Sequence, residues 1–232
     1  MHANSSQVES AQTTVHPKLQ EIVRRHLTAR YQRPLSDRGM ATFAAMLPWL
    51  EAQDGRPLIL DSGCGTGMST RLLAQANPGA SVIGADRSFE RLQRSGLDRG
   101  QALRIEGTLC LARINLEDLW PLLLASGIRL HRHLLWYPNP SPKPEHLKRR
   151  WHAHPLFPTL LALRGEVELR SNWRVYVDEF AKALAVAGRA GYVARIEPTA
   201  PAVSPFERKY LESGHPAWRV TATLAANLVA QA

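Results

Sequence analysis

The stretch Leu58–Gly67, Leu-Ile-Leu-Asp-Ser-Gly-Cys-Gly-Thr-Gly, constrains this chain more than any other. Its apolar start, Leu58, Ile59 and Leu60, reads as a buried strand. Asp61 closes that strand, and Gly63, Gly65 and Gly67 follow at alternate positions. Met68, Leu72, Leu73 and Ala76 then form one apolar face at helical spacing. Strand, glycine turn and helix together make a pocket of the nucleotide-binding kind. Glycine accepts positive φ and lets a ligand approach the main chain closely. An ordinary strand-to-helix turn has no use for so many glycines, because each costs backbone entropy. The spacing is G-x-G-x-G rather than G-x-G-x-x-G, and no phosphate-binding lysine follows it. That argues against a Walker loop and fits the dinucleotide fingerprint only weakly.

The chain after this turn alternates strands and helices. Asn77-Pro78-Gly79 stops the first crossover helix, and Ser81 to Ala85 is a second strand with Asp86 at its end. An acid about 20 residues beyond the glycine turn is placed to accept hydrogen bonds from ribose hydroxyls. The competing role for Asp86 is an N-cap to the next helix, Ser88 to Leu97, which Ser88 could serve equally well. Thr108 to Ile114 reads as a third strand. Asn115 after it either contacts an adenine amino group or caps the helix that holds Glu117, Asp118, Trp120, Leu123 and Leu124. Arg129 to Tyr137 is a fourth strand, and it runs into the proline-rich loop Pro138–Pro144. Ligands of open α/β sheets bind beyond the carboxyl ends of the strands, so this loop is expected at the active site, with its prolines fixing Asn139 in place. A helix over Pro155 to Leu163 comes next, then a strand over Glu166 to Arg170. Ser171-Asn172 could cap a helix from Trp173 to Ala187. Strands over Tyr192 to Ile196 and Trp218 to Leu224 enclose a loop, Glu197 to Pro205, and a short helix, Phe206 to Leu211. Upstream, His16 to Leu27 and Ser36 to Leu50 read as helices, the second capped by Ser36 and bent at Pro48. These helices, within residues 16–50, would cover one edge of the cofactor pocket.

With 232 residues the chain suits one α/β domain. Met1 to Thr14 is polar and lacks the apolar core of a secretory signal. Residues 1–15 are therefore expected to be a disordered N-terminus, and 16–232 a single domain. The two cysteines, Cys64 and Cys110, make no disulfide framework and point to a reduced, cytoplasmic environment. No apolar run approaches the roughly 18 residues that span a bilayer, and neither His nor Cys spacing suggests a metal site. A monomer or a homodimer fits equally well. The net charge of +9, from 29 Lys and Arg against 20 Asp and Glu, calls for an acidic partner. The excess is clustered, because Lys143, Lys148, Arg149 and Arg150 lie close together in sequence, near Trp136, Tyr137 and Trp151. Basic and aromatic groups beside a reaction centre suit phosphate contact and base stacking. The plainer reading of such a run is a solvated helix face.

Asp61–Gly67 resembles the first motif of the class I S-adenosylmethionine (SAM) methyltransferases, D/E-x-G-x-G-x-G. Four blocks taken together resemble the bacterial tRNA (guanine-N7)-methyltransferases. They are Asp61–Gly67 with Asp86; Tyr137 to Lys143 with Lys148-Arg149-Arg150; Ser171-Asn172-Trp173 with Tyr176; and Ser204-Pro205-Phe206-Glu207. The resemblance implies a doubly wound, Rossmann-like α/β sheet with helices on both faces. It also implies SAM as cofactor, and tRNA or another RNA as substrate. Asp61, Gly63, Gly65, Gly67 and Asp86 would hold the cofactor. Asn115 and Asn139 would take further cofactor or active-site positions, with Asn139 at the catalytic one. Lys143, Asn172, Ser204, Phe206 and Glu207 would touch the RNA. The chain departs from the family where P-D-P-W reads Pro138-Asn139-Pro140-Ser141, where T-D-W reads Ser171-Asn172-Trp173, and where T-x-F-E begins with Ser204. Asn115 stands at the family's acidic residue after the third strand. Amides replace carboxylates, so the implied member is a divergent one. Asn139-Pro140-Ser141-Pro142 also looks like a degenerate form of the N-P-P-Y/F/W loop of amino-methyltransferases, which would move the target to an exocyclic amine or a small molecule. That reading lacks the aromatic at the fourth position unless Tyr137 or Trp136 substitutes. A third reading is a catalytically silent module that binds SAM or RNA.

Overall fold

The fold is taken from a computed structural model, which describes residues 7–199 and 201–224. At its centre lies β1 (Leu58–Ser62), every residue of which is buried. It pairs in parallel with β2 (Ser81–Asp86) on one side and β5 (Arg132–Trp136) on the other. Strands buried on both faces read as continuous apolar runs, and this explains why Leu58-Ile59-Leu60 and Val82-Ile83 show no polar alternation.

The other strands are β3 (Leu103–Glu106), β4 (Leu109–Arg113), β6 (Glu166–Ser171), β7 (Tyr192–Ile196) and β8 (Ala217–Thr223). They complete one eight-stranded sheet in the order β3-β4-β2-β1-β5-β6-β8-β7. The chain steps outward from β1 through β2 to β4, then returns to lay β5 and β6 on the other side. The strand order therefore reverses at β1, the kind of switch point at which open α/β sheets place a ligand crevice beyond the carboxyl ends of their strands.

Alternate residues of β1 face opposite layers. Leu58 and Leu60 join the larger core, which includes residues of α1 (Leu19–Thr28), α2 (Asp37–Ala52), α5 (Leu116–Ala125), α6 (Phe157–Ala162) and α7 (Arg174–Val186). Ile59 joins a smaller core with Leu73 of α3 (Met68–Ala76), Leu134 and Trp136. The remaining α-helices among the described residues are the single turn α4 (Phe89–Leu92) and α8 (Pro205–Glu212). The expected doubly wound sheet with helices on both faces is found. None of the described helices is long and apolar enough to cross a membrane.

Several expectations are corrected. Strand β3 was not anticipated. It pairs antiparallel with β4 through a turn at Gly107, and its half-exposed edge position leaves it without a strong apolar pattern. The helix expected over Ser88 to Leu97 is one α turn followed by a 3-10 turn, Gln93–Ser95, ended by Gly96. Leu72 was expected inward but is exposed. The buried residues of α3 are Ser69, Thr70 and Leu73, because the helix presents hydroxyls to the end of β1. Residues 7–15 were expected to be disordered, yet they run as an ordered coil across the molecule. Ser10 Oγ donates to the Pro142 carbonyl at 2.5 Å, and Gln12 Nε2 donates to Glu179 Oε1 at 2.6 Å. Residues 1–6 and the tail from residue 225 lie outside the described residues. Ser36 caps α2 as expected, accepting from Gly39 N at 3.0 Å.

Candidate active site

The glycine turn is built from the end of β1. Gly63, Gly65 and Gly67 all have positive φ, at 81°, 59° and 72°. A Cβ at Gly63 or Gly65 would meet nothing within 4 Å, so open space lies against the main chain there. Gly63 N and Cys64 N both donate to the Ala85 carbonyl, which ties the turn to the end of β2. Asp86 completes the link. Its Oδ2 accepts from Gly65 N at 2.9 Å and its Oδ1 from Ser88 N at 2.8 Å. Asp86 is buried and lies 3.6 Å from Arg91 Nη1, and because each carboxylate oxygen can accept more than one hydrogen bond it retains acceptor capacity. Ser88 rather than Asp86 caps α4, accepting from Arg91 N at 3.3 Å.

Asp61 lies beneath the turn and is 1% exposed. Ser69 Oγ and Thr70 Oγ1 both donate to its Oδ2, at 2.6 and 2.8 Å. The helix comes this close because position 84 on β2 is glycine, where a Cβ would stand 2.3 Å from Thr70 Oγ1. Burial raises the Asp61 carboxyl from its ordinary value of 3.8 to about 6, with Asp86 adding to the rise and the two hydroxyl donors opposing it. Burial likewise pushes the Cys64 thiol well above its usual value, which keeps it neutral within the turn.

The proline-rich loop leaves the end of β5, next to β1. It begins at Tyr137, whose φ of 55° turns the chain sharply. Asn139 is exposed, and its Oδ1 accepts from Ser141 N at 3.0 Å, closing a small side-chain turn. The next strand ends alongside, since Trp136 is in register with Arg170. Asn172, half-buried, therefore stands at the same edge of the sheet as the loop. Ser171 Oγ accepts from Trp173 N at 3.1 Å, and α7 starts without a side-chain cap.

Glu207 of α8 joins these parts. It is fully buried and accepts from Tyr137 Oη at 2.6 Å, from Arg170 Nη1 at 3.0 and 3.1 Å, and from Val203 N at 3.1 Å. Ser204 caps the same helix through Glu207 N at 3.1 Å. The second, third and fourth sequence blocks are thus gathered at one sheet edge, beside the first. Burial, then the charge of Glu207 and its hydrogen bond, pushes the Tyr137 hydroxyl above its ordinary range.

These placements correct some expected contacts. Ser204 and Glu207 are internal, and the exposed residues of that block are Pro205 and Phe206, the latter at 45%. Arg150 is fully buried against Glu179, so the exposed part of the basic cluster is Lys143, Lys148 and Arg149. Trp136 is buried and donates from Nε1 to Glu168 Oε1 at 2.9 Å, under the guanidinium of Arg170. With the Tyr137 hydroxyl bound to Glu207, neither aromatic is free to replace the one that the amino-methyltransferase loop lacks. Asn115 holds the N-cap position of α5 without a side-chain bond, and instead lines a cavity of about 40 Å³ with Arg87 and Arg113. The sequence reading missed Ser69, Thr70, Arg170 and Glu179. Only Ser69 and Thr70, small hydroxyl residues one turn past the glycines, left a signal that could have been read.

The raised pKa of Asp61 has a measurable consequence. A proton that the folded state binds more tightly stabilises the fold fully below pH 3.8, and that contribution is lost as the pH rises through about 6. Without a ligand it amounts to about 1 kcal/mol between pH 5 and pH 8. Urea unfolding of wild type and Asp61→Asn at those two pH values should differ in slope by about this amount, with the wild type losing more stability on going to pH 8. Equal slopes would contradict the assignment.

Comparison with known proteins agrees with this geometry. Residues 55–220 match the family described as "Putative methyltransferase". The chain is 27% identical over 217 residues to the tRNA (guanine-N(7)-)-methyltransferase of Leifsonia xyli, covering 84% of this chain and 90% of that one. It is 31% identical over 125 residues to the protein of the same name from Rubrobacter xylanophilus, covering 52% of this chain and 54% of that one. Its fold is similar to a 16S rRNA (adenine(1408)-N(1))-methyltransferase from Catenulisporales acidiphilia solved with cosubstrate SAM, with a TM-score of 0.55, 16% identity, and 78% and 92% of the two chains covered. With most of its sheet inside the matched region, the chain belongs to this methyltransferase family.

Proposed function

We propose that this chain transfers a methyl group from SAM to N7 of a guanine in tRNA. The observation that carries this reading is that the glycine turn, tied to Asp86, follows β1 while the Asn139 loop follows β5, the strand paired with β1. The Leifsonia and Rubrobacter relatives, named for that reaction, support the choice of target.

The residues fit SAM. Gly63 and Gly65 leave open space at the main chain, and Asp86 keeps acceptor capacity for ribose hydroxyls. Asn115, free of a capping bond, is available to an adenine amino group. Bound there, the cofactor supplies an electrophilic methyl group on a sulfonium.

Guanine N7 already presents a lone pair, so the chain need not remove a proton. Its task is alignment and the stabilisation of positive charge that grows on the purine. Asn139 meets that charge with an amide dipole rather than a carboxylate. The loop that carries it is stiffened by proline, which favours alignment over charge as its contribution. Lys143, Lys148 and Arg149 are exposed beside the loop and suited to phosphates, with Asn172 and Phe206 at the rim.

The test is incubation of the protein with labelled SAM and tRNA lacking N7 methylation, followed by nucleoside analysis. Label in 7-methylguanosine is the expected result, and label in another nucleoside or none overturns the reading. For the RNA surface, Lys148→Glu with Arg149→Glu should weaken tRNA binding and reduce the slope of log K against log salt by about 2. An unchanged slope removes these residues from the interface.

A further inference from the structure

Arg150 and Glu179 are both wholly buried and meet at 2.5 Å. A buried ion pair is poor evidence for stability, because desolvating the two charges offsets much of their attraction. What its remaining donors and acceptors touch is more informative. Arg150 Nε and Nη2 donate to the Ser141 carbonyl at 3.3 and 3.2 Å, and Nη2 reaches the Lys143 carbonyl at 3.3 Å. Both carbonyls belong to the loop that carries Asn139. Glu179 Oε2 also pairs with His152 Nε2 at 3.0 Å, while Oε1 accepts from His16 N at 3.0 Å. Gln12 bridges the two ions. Its Nε2 donates to Glu179 at 2.6 Å, and its Oε1 accepts from Arg150 Nη2 at 3.0 Å. Ser10 Oγ adds a bond to the Pro142 carbonyl at 2.5 Å.

The loop needs such support. Pro138, Pro140, Pro142 and Pro144 have no N–H, so it cannot secure itself through a backbone ladder. Its carbonyls are held instead by donors from other parts of the chain. We propose that Arg150 and Glu179 are positioning residues, which set the conformation of the Asn139 loop and enlist residues 10–16 as a strap that completes the active site. This rests on the reading of that loop as the active-site loop. The pair then keeps Asn139 fixed through Ser141, the acceptor of one link and the donor of the other. The Trp173 ring, 4.8 Å from the guanidinium carbon, closes the far side of Arg150.

The test compares the full chain with Gln12→Ala, Arg150→Lys and the double variant. Gln12 is half-buried in coil, so its replacement leaves the buried pair and the sheet in place. Amide hydrogen exchange across residues 139–146 should quicken by about threefold or more in Gln12→Ala, while residues 61–67 exchange as in the wild type. Turnover on tRNA should fall about tenfold with KM for SAM unchanged. The double variant should be no slower than Arg150→Lys, because both changes break one network. Where Arg150→Lys does not fold, Gln12→Ala decides alone. Loop exchange equal to the wild type overturns the proposal, as do losses that multiply in the double variant. A wild type that methylates no tRNA would end the functional reading, but the exchange result would still decide whether the strap holds the loop.

Discussion

Parallel pairing of β1 with β2 on one side and β5 on the other is the constraint on which the rest of the molecule depends. Parallel strands must be joined by crossovers, and crossovers taken in both directions from β1 leave a gap beyond its carboxyl end. The main chain fills that gap with the glycine turn, and the turn is held from below and from the side by acids. Asp61 anchors the start of α3 through Ser69 and Thr70, and Asp86 anchors Gly65. Each carboxylate accepts hydrogen bonds from neutral donors in a buried setting, where a missed hydrogen bond would be costly, and Asp86 also has the Arg91 guanidinium 3.6 Å away.

The same edge of the sheet is organised a second time by ion pairs. Glu179 with Arg150 is wholly buried, and the buried Glu207 pairs with a partly buried Arg170; each pair spends spare valences on the loop after β5. One holds Tyr137 at the start of the loop, and the other holds the Ser141 and Lys143 carbonyls further along. Burial works to raise the Glu179 carboxyl, but His152 and Arg150 outweigh it and bring it down to about 2. The anion therefore stays charged across the physiological range, and the grip on the loop does not relax with ordinary changes of pH. The exposed cations Lys143, Lys148 and Arg149 lie outside this frame, free to meet a polyanion.

Much of this was legible in the sequence because it was local. Leu58 to Gly67 displays a strand, an acid and a glycine turn within ten residues, and Asp86 follows at the end of the next apolar run. What was not legible depends on partners distant in the chain. Arg150 looks like one more cation in a basic run, and only the fold shows that Glu179 and Gln12 claim it. Glu207 looks like a surface residue of a short helix until Tyr137 and Arg170 are brought to it. Residues 7–15 carry too few apolar side chains to announce order: only Val8 and Val15 pack against the core, and hydrogen bonds to Glu179 and to the loop after β5 hold the rest. Leu72 misled because apolar periodicity alone cannot anticipate that α3 turns hydroxyls, not leucines, toward Asp61.

The central claim is that the crevice over the ends of β1 and β2 holds SAM, with Asp86 as its principal acceptor. The direct measurement is calorimetric titration of SAM into wild type and Asp86→Ala, with unfolding curves to confirm that the variant is folded. Loss of a carboxylate that accepts ribose hydroxyls predicts a Kd raised by about 100-fold. A folded Asp86→Ala variant that binds SAM as tightly as the wild type would contradict the account.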